Sequence, residues 1–308
     1  MGLKVIIAPH AGFCFGVRRA IRLSEKAVSE RGRVYCLGPL IHNRQAVERL
    51  RSLGLIPVNS LNEVPPGAPV MIRTHGSGPA LIREARERGH EIVDATCPFV
   101  TRAHQSARKF QDEGYQVLVL GDRNHPESRG IVEYTGGRAV IVENPEEVEG
   151  MELAPRVAVV CQTTQRFDRL EALVRAVLPR VHELRVANTI CDATTQRQDA
   201  SKALAHQVDV MIVVGGYHSA NTRRLHEICS ATGTPSYHIE VAEEVRPEWL
   251  DGVEVVGVTA GASTPDEIIA AVAERVAELG GQGSQIVWPE ERAGRESRRM
   301  EGESDGDH

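Results

Sequence analysis

Aromatic side chains are scarce, at 4% of the 308 residues, and positive charge is not in excess, the formal net charge being -6. A nucleic-acid binder needs a basic field and stacking surfaces, so no nucleic-acid partner is expected and any bound anion must be met locally. No apolar run approaches the roughly 20 residues that a membrane-spanning helix requires, so no membrane partner is expected either. The opening Met1-Gly2-Leu3-Lys4-Val5 lacks the charged, apolar and small-residue regions of a signal peptide, and a cytoplasmic chain is expected. Close cysteine pairs such as C-x2-C are missing too. Six cysteines without pairing or a secretion signal argue against a disulfide framework and leave reduced thiols or metal ligands.

What the chain does contain is a repeat. Gly38 and His42 lie 24 and 28 residues after Cys14; the same steps from Cys97 reach Gly121 and His125, and from Cys191 reach Gly215 and Ser219. Short apolar runs such as Val34 to Leu37, Val117 to Leu120, Val157 to Cys161 and Val210 to Val214 read as strands. They alternate with helical stretches such as Val17 to Glu30, Phe167 to Val177 and Pro265 to Leu279. Strands that are apolar throughout, separated by helices, imply an α/β fold with parallel sheets covered on both faces. The expectation is three similar α/β units, each a small mostly parallel sheet flanked by helices, around a pseudo-threefold axis. Their expected bounds are 14–96, 97–190 and 191–282 together with 1–13. Residues 283–308 form a C-terminal tail, largely disordered after about residue 289. Ligand loops in such sheets lie at the carboxyl ends of the strands. Each unit then offers three polar loops on one edge, its cysteine in the first.

A lone cysteine is more often a packed small side chain than a ligand, and Cys36, Cys161 and Cys229 are read that way. Cys14, Cys97 and Cys191 share an offset, and threefold packing would bring their thiolates to one point. Zinc would need a fourth ligand and usually draws ligands from close pairs. An iron–sulfur cluster fits better: three cysteines leave one iron without a protein thiolate, a Lewis acid able to take a substrate oxygen while the cluster carries electrons. The other loop residues, His42, His75, His125, Thr163, Thr164, Ser219, Asn221 and Ser263, are donors. Several lie just before helices, whose N-terminal N–H groups favour anions, so phosphate or diphosphate is the natural guest. Glu127 is the nearby carboxylate and the candidate proton donor, though it could also cap a helix.

These motifs resemble a known family. Gly12-Phe13-Cys14 with Gly16-Val17, His42-Asn43-Arg44, Thr74-His75-Gly76, Asp94-Ala95-Thr96-Cys97-Pro98, His125-Pro126-Glu127, Gln162-Thr163-Thr164, Ile190-Cys191, Ser219 with Asn221, and Thr259-Ala260-Gly261-Ala262-Ser263 are similar to the LytB/IspH family, from about residue 4 to 280. The resemblance implies a trefoil around one [4Fe-4S] cluster per chain, held by Cys14, Cys97 and Cys191. It implies reductive removal of the allylic hydroxyl of 4-hydroxy-3-methylbut-2-enyl diphosphate, giving isopentenyl and dimethylallyl diphosphate in the last step of the non-mevalonate isoprenoid route. Electrons would come from reduced ferredoxin or flavodoxin. His42, His75, His125, Ser219, Asn221 and Ser263 would hold the diphosphate, and Glu127 would supply protons, helped by Thr163 and beside His125. Ala220 departs from the family, which commonly has a second serine there, and Ser128-Arg129 also departs from its pattern. Two rivals are a quinolinate-synthase-like dehydratase, whose carboxylate substrate would call for arginine forks, and a non-catalytic iron–sulfur sensor, in which Glu127 would be dispensable.

Overall fold

The computed structural model describes residues 2–289, and the expected disorder after about residue 289 falls outside them. The described residues form three separate sheets, every neighbouring pair of strands parallel. The first sheet contains β2 (Val34–Leu37), β3 (Leu55–Val58), β4 (Val70–Ile72) and β5 (Ile92–Asp94), in the order β3-β2-β4-β5. The second contains β6 (Gln116–Leu120), β7 (Val140–Val142), β8 (Arg156–Cys161) and β9 (Glu183–Ala187), in the order β7-β6-β8-β9. The third combines β1 (Lys4–Ile7) with β10 (Val210–Val214), β11 (Ser236–Ile239), β12 (Val255–Ala260) and β13 (Gln285–Val287), in the order β11-β10-β12-β1-β13.

The helices between them are α1 (Phe15–Arg31), α2 (Arg44–Leu53), α3 (Pro79–Glu87), α4 (Pro98–Asp112), α5 (Pro126–Tyr134), α6 (Phe167–Val177), α7 (Asp192–Ala205), α8 (Ala220–Ser230) and α9 (Asp266–Leu279). Strand alternation explains why they cover both faces. In β10, Met211 and Val213 pack with Leu204, Leu225 and Cys229 of α7 and α8, while Ile212 and Val214 pack with Ile269, Val272 and Val276 of α9. In β6, Leu118 and Leu120 meet Leu170 and Leu173 of α6, and Val117 and Val119 meet Ala103 and Ala107 of α4. Burying each such branched side chain stabilises by roughly 1.5–3 kcal/mol, which is why uninterrupted apolar strands settle here. None of the helices among the described residues is long and apolar enough to cross a membrane.

The structure adds elements that the apolar runs do not announce. The short strand β3 lies at the edge of the first sheet. Pro126, directly after His125, starts α5. Thr259 and Ala260 complete β12. Ile286, expected in the C-terminal tail, pairs with Val5 as part of β13. The cysteine loops also group differently from the expected first loop of each unit: each follows a strand of one sheet and opens the helix that packs on the next. Thus β5 delivers Cys97 to α4, β9 delivers Cys191 to α7, and β1 of the third sheet delivers Cys14 to α1. This hand-over is what carries the three cysteines to the middle.

Candidate active site

Three sets of strand ends, one from each sheet, build the site. The loops after β2, β6 and β10 present His42, His125 and Ser219; those after β4, β8 and β12 present His75, Thr163 and Ser263; the third set presents the cysteines. Backbone bonds lock the second set to the third. Cys14 N–H donates to Ala262 O at 3.1 Å, Cys97 N–H to Thr74 O at 3.0 Å, and Cys191 N–H to Thr163 O at 3.1 Å. One cavity is therefore lined by all three cysteines and by every polar residue singled out in the sequence, Glu127 included.

Cys14, Cys97 and Cys191 are the N-cap residues of α1, α4 and α7, all extended, and none of their side chains caps its helix. Each of these residues thus stands at the positive end of a helix. Burial pushes the Cys97 thiol up to about 11 and raises that of Cys191, whose Sγ meets Thr194 Oγ1 at 3.0 Å. A thiolate at Cys97 or Cys191 therefore calls for a cation beside it. The sulfurs feel one another electrostatically, and a Cβ at Gly16 would lie 2.7 Å from Cys97 Sγ and 3.9 Å from Cys14 Sγ, so glycine keeps the space between them open. Among the described residues, the one group of three metal-donor side chains close enough to share a single ion is His42, His75 and His125, not the cysteines. A single zinc ion, with Zn–S bonds of about 2.3 Å, needs all its donor atoms close enough to share one ion, as the three sulfurs are not, whereas a polynuclear cluster spans a wider set. The donor set therefore fits an iron–sulfur cluster rather than a lone zinc. Cys36, Cys161 and Cys229 are fully buried among apolar side chains of the three cores.

In the same cavity the three histidine rings cluster, with centroids 4.4, 5.4 and 5.2 Å apart. Burial first, and neighbouring positive groups second, hold His42 down at about 4 and push His75 well below its ordinary value. His125 falls to about 3, mainly through burial. All three are neutral at pH 7. His125 caps α5, its Nδ1 accepting from Glu127 N–H at 3.2 Å, which puts the ring proton on Nε2 and makes that nitrogen a donor. A donor suits an anion and opposes a metal ion at this cluster. Buried polar atoms are normally paired, yet His42 Nε2, His75 Nδ1 and both side-chain atoms of Asn221 have no partner. Ser219 caps α8, accepting from Thr222 N–H, and Ser263 Oγ donates to His42 O at 3.3 Å. The N-termini of α5 and α8 open onto this space, an arrangement that favours an anion. Ala220, 2% exposed, lines it from the first turn of α8 and offers no hydroxyl.

Glu127 sits in the first turn of α5, 1% exposed. Its Oε1 accepts from Thr163 N–H at 2.5 Å and its Oε2 from Thr163 Oγ1 at 3.0 Å. Burial outweighs those bonds and raises its carboxyl to about 7. Thr194, part of the Cys191 motif but given no role from the sequence, stands at the Cys191 sulfur, and sequence reasoning missed Arg197, a guanidinium 2% exposed in the same cavity wall. Arg197 falls six residues after Cys191, a position whose burial no local pattern announces.

The fold and site together define a class: a threefold parallel α/β protein that gathers three thiols and three neutral histidines around one cavity. A family model described as LytB protein matches residues 5–277, and the chain belongs to that family. It is 46% identical over 277 residues to the 4-hydroxy-3-methylbut-2-enyl diphosphate reductase of Geobacter sp. (strain M21), covering 90% of this chain and 98% of that one. With the enzyme of the same name from Aquifex aeolicus (strain VF5) identity is 45% over 281 residues, covering 90% and 97%. A solved reductase described as the terminal enzyme of the non-mevalonate pathway is 45% identical with a TM-score of 0.66, over 90% of this chain and 99% of that one. The Plasmodium falciparum reductase is 25% identical with a TM-score of 0.86, over 97% and 99%. The expected fold class is thereby borne out, and membership of this family sets aside the quinolinate-synthase-like rival.

Proposed function

We propose that the chain is a 4-hydroxy-3-methylbut-2-enyl diphosphate reductase acting at the end of the non-mevalonate isoprenoid route. It would convert its allylic alcohol diphosphate to isopentenyl and dimethylallyl diphosphate. Family membership, near-complete coverage of the relatives and the thiol-lined anion pocket support this reading. Cys14, Cys97 and Cys191 would hold the [4Fe-4S] cluster. When bound, the cluster would supply electrons drawn from ferredoxin or flavodoxin and, at the iron lacking a protein thiolate, a Lewis acid for the substrate hydroxyl.

The chain's own residues do the rest. His42, His75 and His125 are neutral donors, and with Ser219, Asn221, Ser263 and the N-termini of α5 and α8 they receive the diphosphate without a lysine or arginine fork. Anchoring the diphosphate fixes where the allylic hydroxyl falls, which makes the chemical step effectively unimolecular. Breaking the C–O bond consumes two electrons and two protons and releases water, and hydroxide is too poor a leaving group to depart unprotonated. Glu127, with its carboxyl at about 7, is protonated in a large share of molecules at neutral pH and can give a proton there. Thr163, bonded to both carboxyl oxygens through N–H and O–H, orients the group and can pass its hydroxyl proton on.

The single observation that carries the catalytic part is this buried carboxyl, raised by its surroundings and facing the same cavity as the thiols. Anaerobic turnover of 4-hydroxy-3-methylbut-2-enyl diphosphate by the iron-loaded protein with a reduced one-electron donor tests it. Formation of the two five-carbon diphosphates is expected. A loaded protein that binds the substrate yet never reduces it would leave the sensor reading instead.

A further inference from the structure

Each of the three helices that start at a cysteine carries an arginine five or six residues on: Arg19 after Cys14, Arg102 after Cys97, Arg197 after Cys191. Each arginine reaches a backbone carbonyl in the next cysteine loop. Arg19 Nη1 donates to Thr96 O at 3.2 Å, just before Cys97; Arg102 Nη2 reaches Asn188 O at 3.5 Å, ahead of Cys191; and Arg197 Nη2 donates to Gly12 O at 2.9 Å, ahead of Cys14. The links run head to tail, first loop to second, second to third, third to first. They grade in strength with burial: the Arg102 link is exposed and at the limit of hydrogen-bond reach, the Arg19 link is partly buried, and Arg197 is 2% exposed.

Arg197 makes a second bond, Nη1 to Ala193 O at 2.9 Å, so one planar guanidinium pins the residues flanking Cys191 to those flanking Cys14. It does so in the wall of the cavity that holds all three thiols. A guanidinium at this depth is tolerated beside negative charge, and a thiolate-ligated cluster is an anion. Its charge stabilises the reduced, more negative form of whatever those thiols hold.

We propose that Arg19, Arg102 and Arg197 close a ring around the three cysteine loops, and that Arg197 is the positioning residue that retains the cluster and sets its potential. The inference rests on the reading that Cys14, Cys97 and Cys191 hold an iron–sulfur cluster. Outer partners of metal ligands typically matter by about 10- to 100-fold in metal affinity, and Arg197 belongs at the lower end of that range or above.

The test uses the full chain, reconstituted anaerobically with iron and sulfide, as wild type, Arg197→Met, Arg197→Lys, Arg19→Met and Arg102→Met. Two quantities are read: the rate of visible bleaching by a chelator, and the midpoint potential by anaerobic titration. Arg197→Met should bleach at least about tenfold faster and titrate at a more negative potential. Arg197→Lys keeps the charge but cannot fork to two carbonyls, so it should bleach faster while its potential stays near that of wild type. Arg19→Met should change bleaching less, and Arg102→Met least. Wild-type bleaching in both Arg197 variants overturns the proposal, as does a potential in Arg197→Met equal to that of wild type. If Arg197→Met fails to fold, the bleaching rate of Arg197→Lys decides alone. A wild type that takes up no cluster would sink the functional reading itself, which these outcomes keep separate.

Discussion

Replacing Glu127 by glutamine changes one atom in the site and separates proton supply from everything else. The amide can keep the local geometry: its oxygen accepts from Thr163 N–H, and its NH2 donates to Thr163 Oγ1, whose hydroxyl turns away to accept. Cluster retention and substrate binding should therefore survive. Losing a positioned general acid costs about 10²- to 10⁴-fold in rate, or about 3–5 kcal/mol of transition-state stabilisation, so kcat should fall by that factor with KM little changed. The pH profile is the sharper part. With the wild-type carboxyl at about 7, kcat should be flat on the acid side and fall about tenfold per pH unit above it; the residual activity of Glu127→Gln should lack that limb. Stability has a matching sign. A carboxyl raised in the folded state favours folding below its unfolded value, and that contribution is lost as pH rises through about 7. At pH 8 ionisation costs about 3 kcal/mol, which the glutamine variant avoids. Stopped-flow turnover with a dithionite-reduced viologen dye across pH 5.5 to 9 reads the rate, and urea midpoints read the stability. A variant with wild-type kcat, or one that keeps the alkaline limb, would remove Glu127 from proton delivery.

Three further outcomes follow from the pocket. Its neutral histidines make the fold sensitive to acid: their folded values lie below the unfolded one, so stability is complete above about 6.5 and drains as pH falls toward about 3 for His125. At pH 5 His125 alone costs about 2 kcal/mol, and His125→Gln should shrink the urea-midpoint difference between pH 7.5 and 5 accordingly; an unchanged difference would contradict its buried neutrality. Asn221→Leu removes two buried, unpaired polar atoms and should stabilise the ligand-free protein by about 1–3 kcal/mol while weakening binding of inorganic diphosphate, read by calorimetry; unaltered diphosphate affinity would take Asn221 out of the anion site. Gly16→Ala places a Cβ 2.7 Å from Cys97 Sγ, and iron content after anaerobic purification should drop; full iron content would show that the thiols have slack there.

Much of this site can be read in the chain because its residues lie at strand ends that recur at a fixed offset. The step from Cys14 to His42 returns from Cys97 to His125 and from Cys191 to Ser219, and the sheets place those residues equivalently at the ends of β2, β6 and β10. Uninterrupted apolar strands such as Val210–Val214 announce burial on both faces, which fixes parallel sheets. Short and interrupted elements were hidden. Leu55–Val58 contains Pro57 and survives because it is an edge strand of the first sheet, where a missing N–H is tolerated. The helix Pro126–Tyr134 carries Gly130 in its middle, a weak helix former that fits because a Cβ there would stand 3.1 Å from His104 Nε2. Pairings between residues far apart in the chain have no local signal at all. Thr163 and Glu127 are 36 residues apart, and Arg197 and Gly12 are 185 apart. Only packing brings either pair together.

Whether three thiols act as one metal centre is tested most directly by iron and acid-labile sulfide analysis of the six single cysteine-to-serine variants, made and reconstituted without oxygen. Cys36, Cys161 and Cys229, buried in the three cores, should each become serine with iron and sulfide retained, whereas Cys14, Cys97 and Cys191 should each lose them. Full iron in a variant of Cys14, Cys97 or Cys191, or its loss in all six alike, would contradict the three-thiol centre.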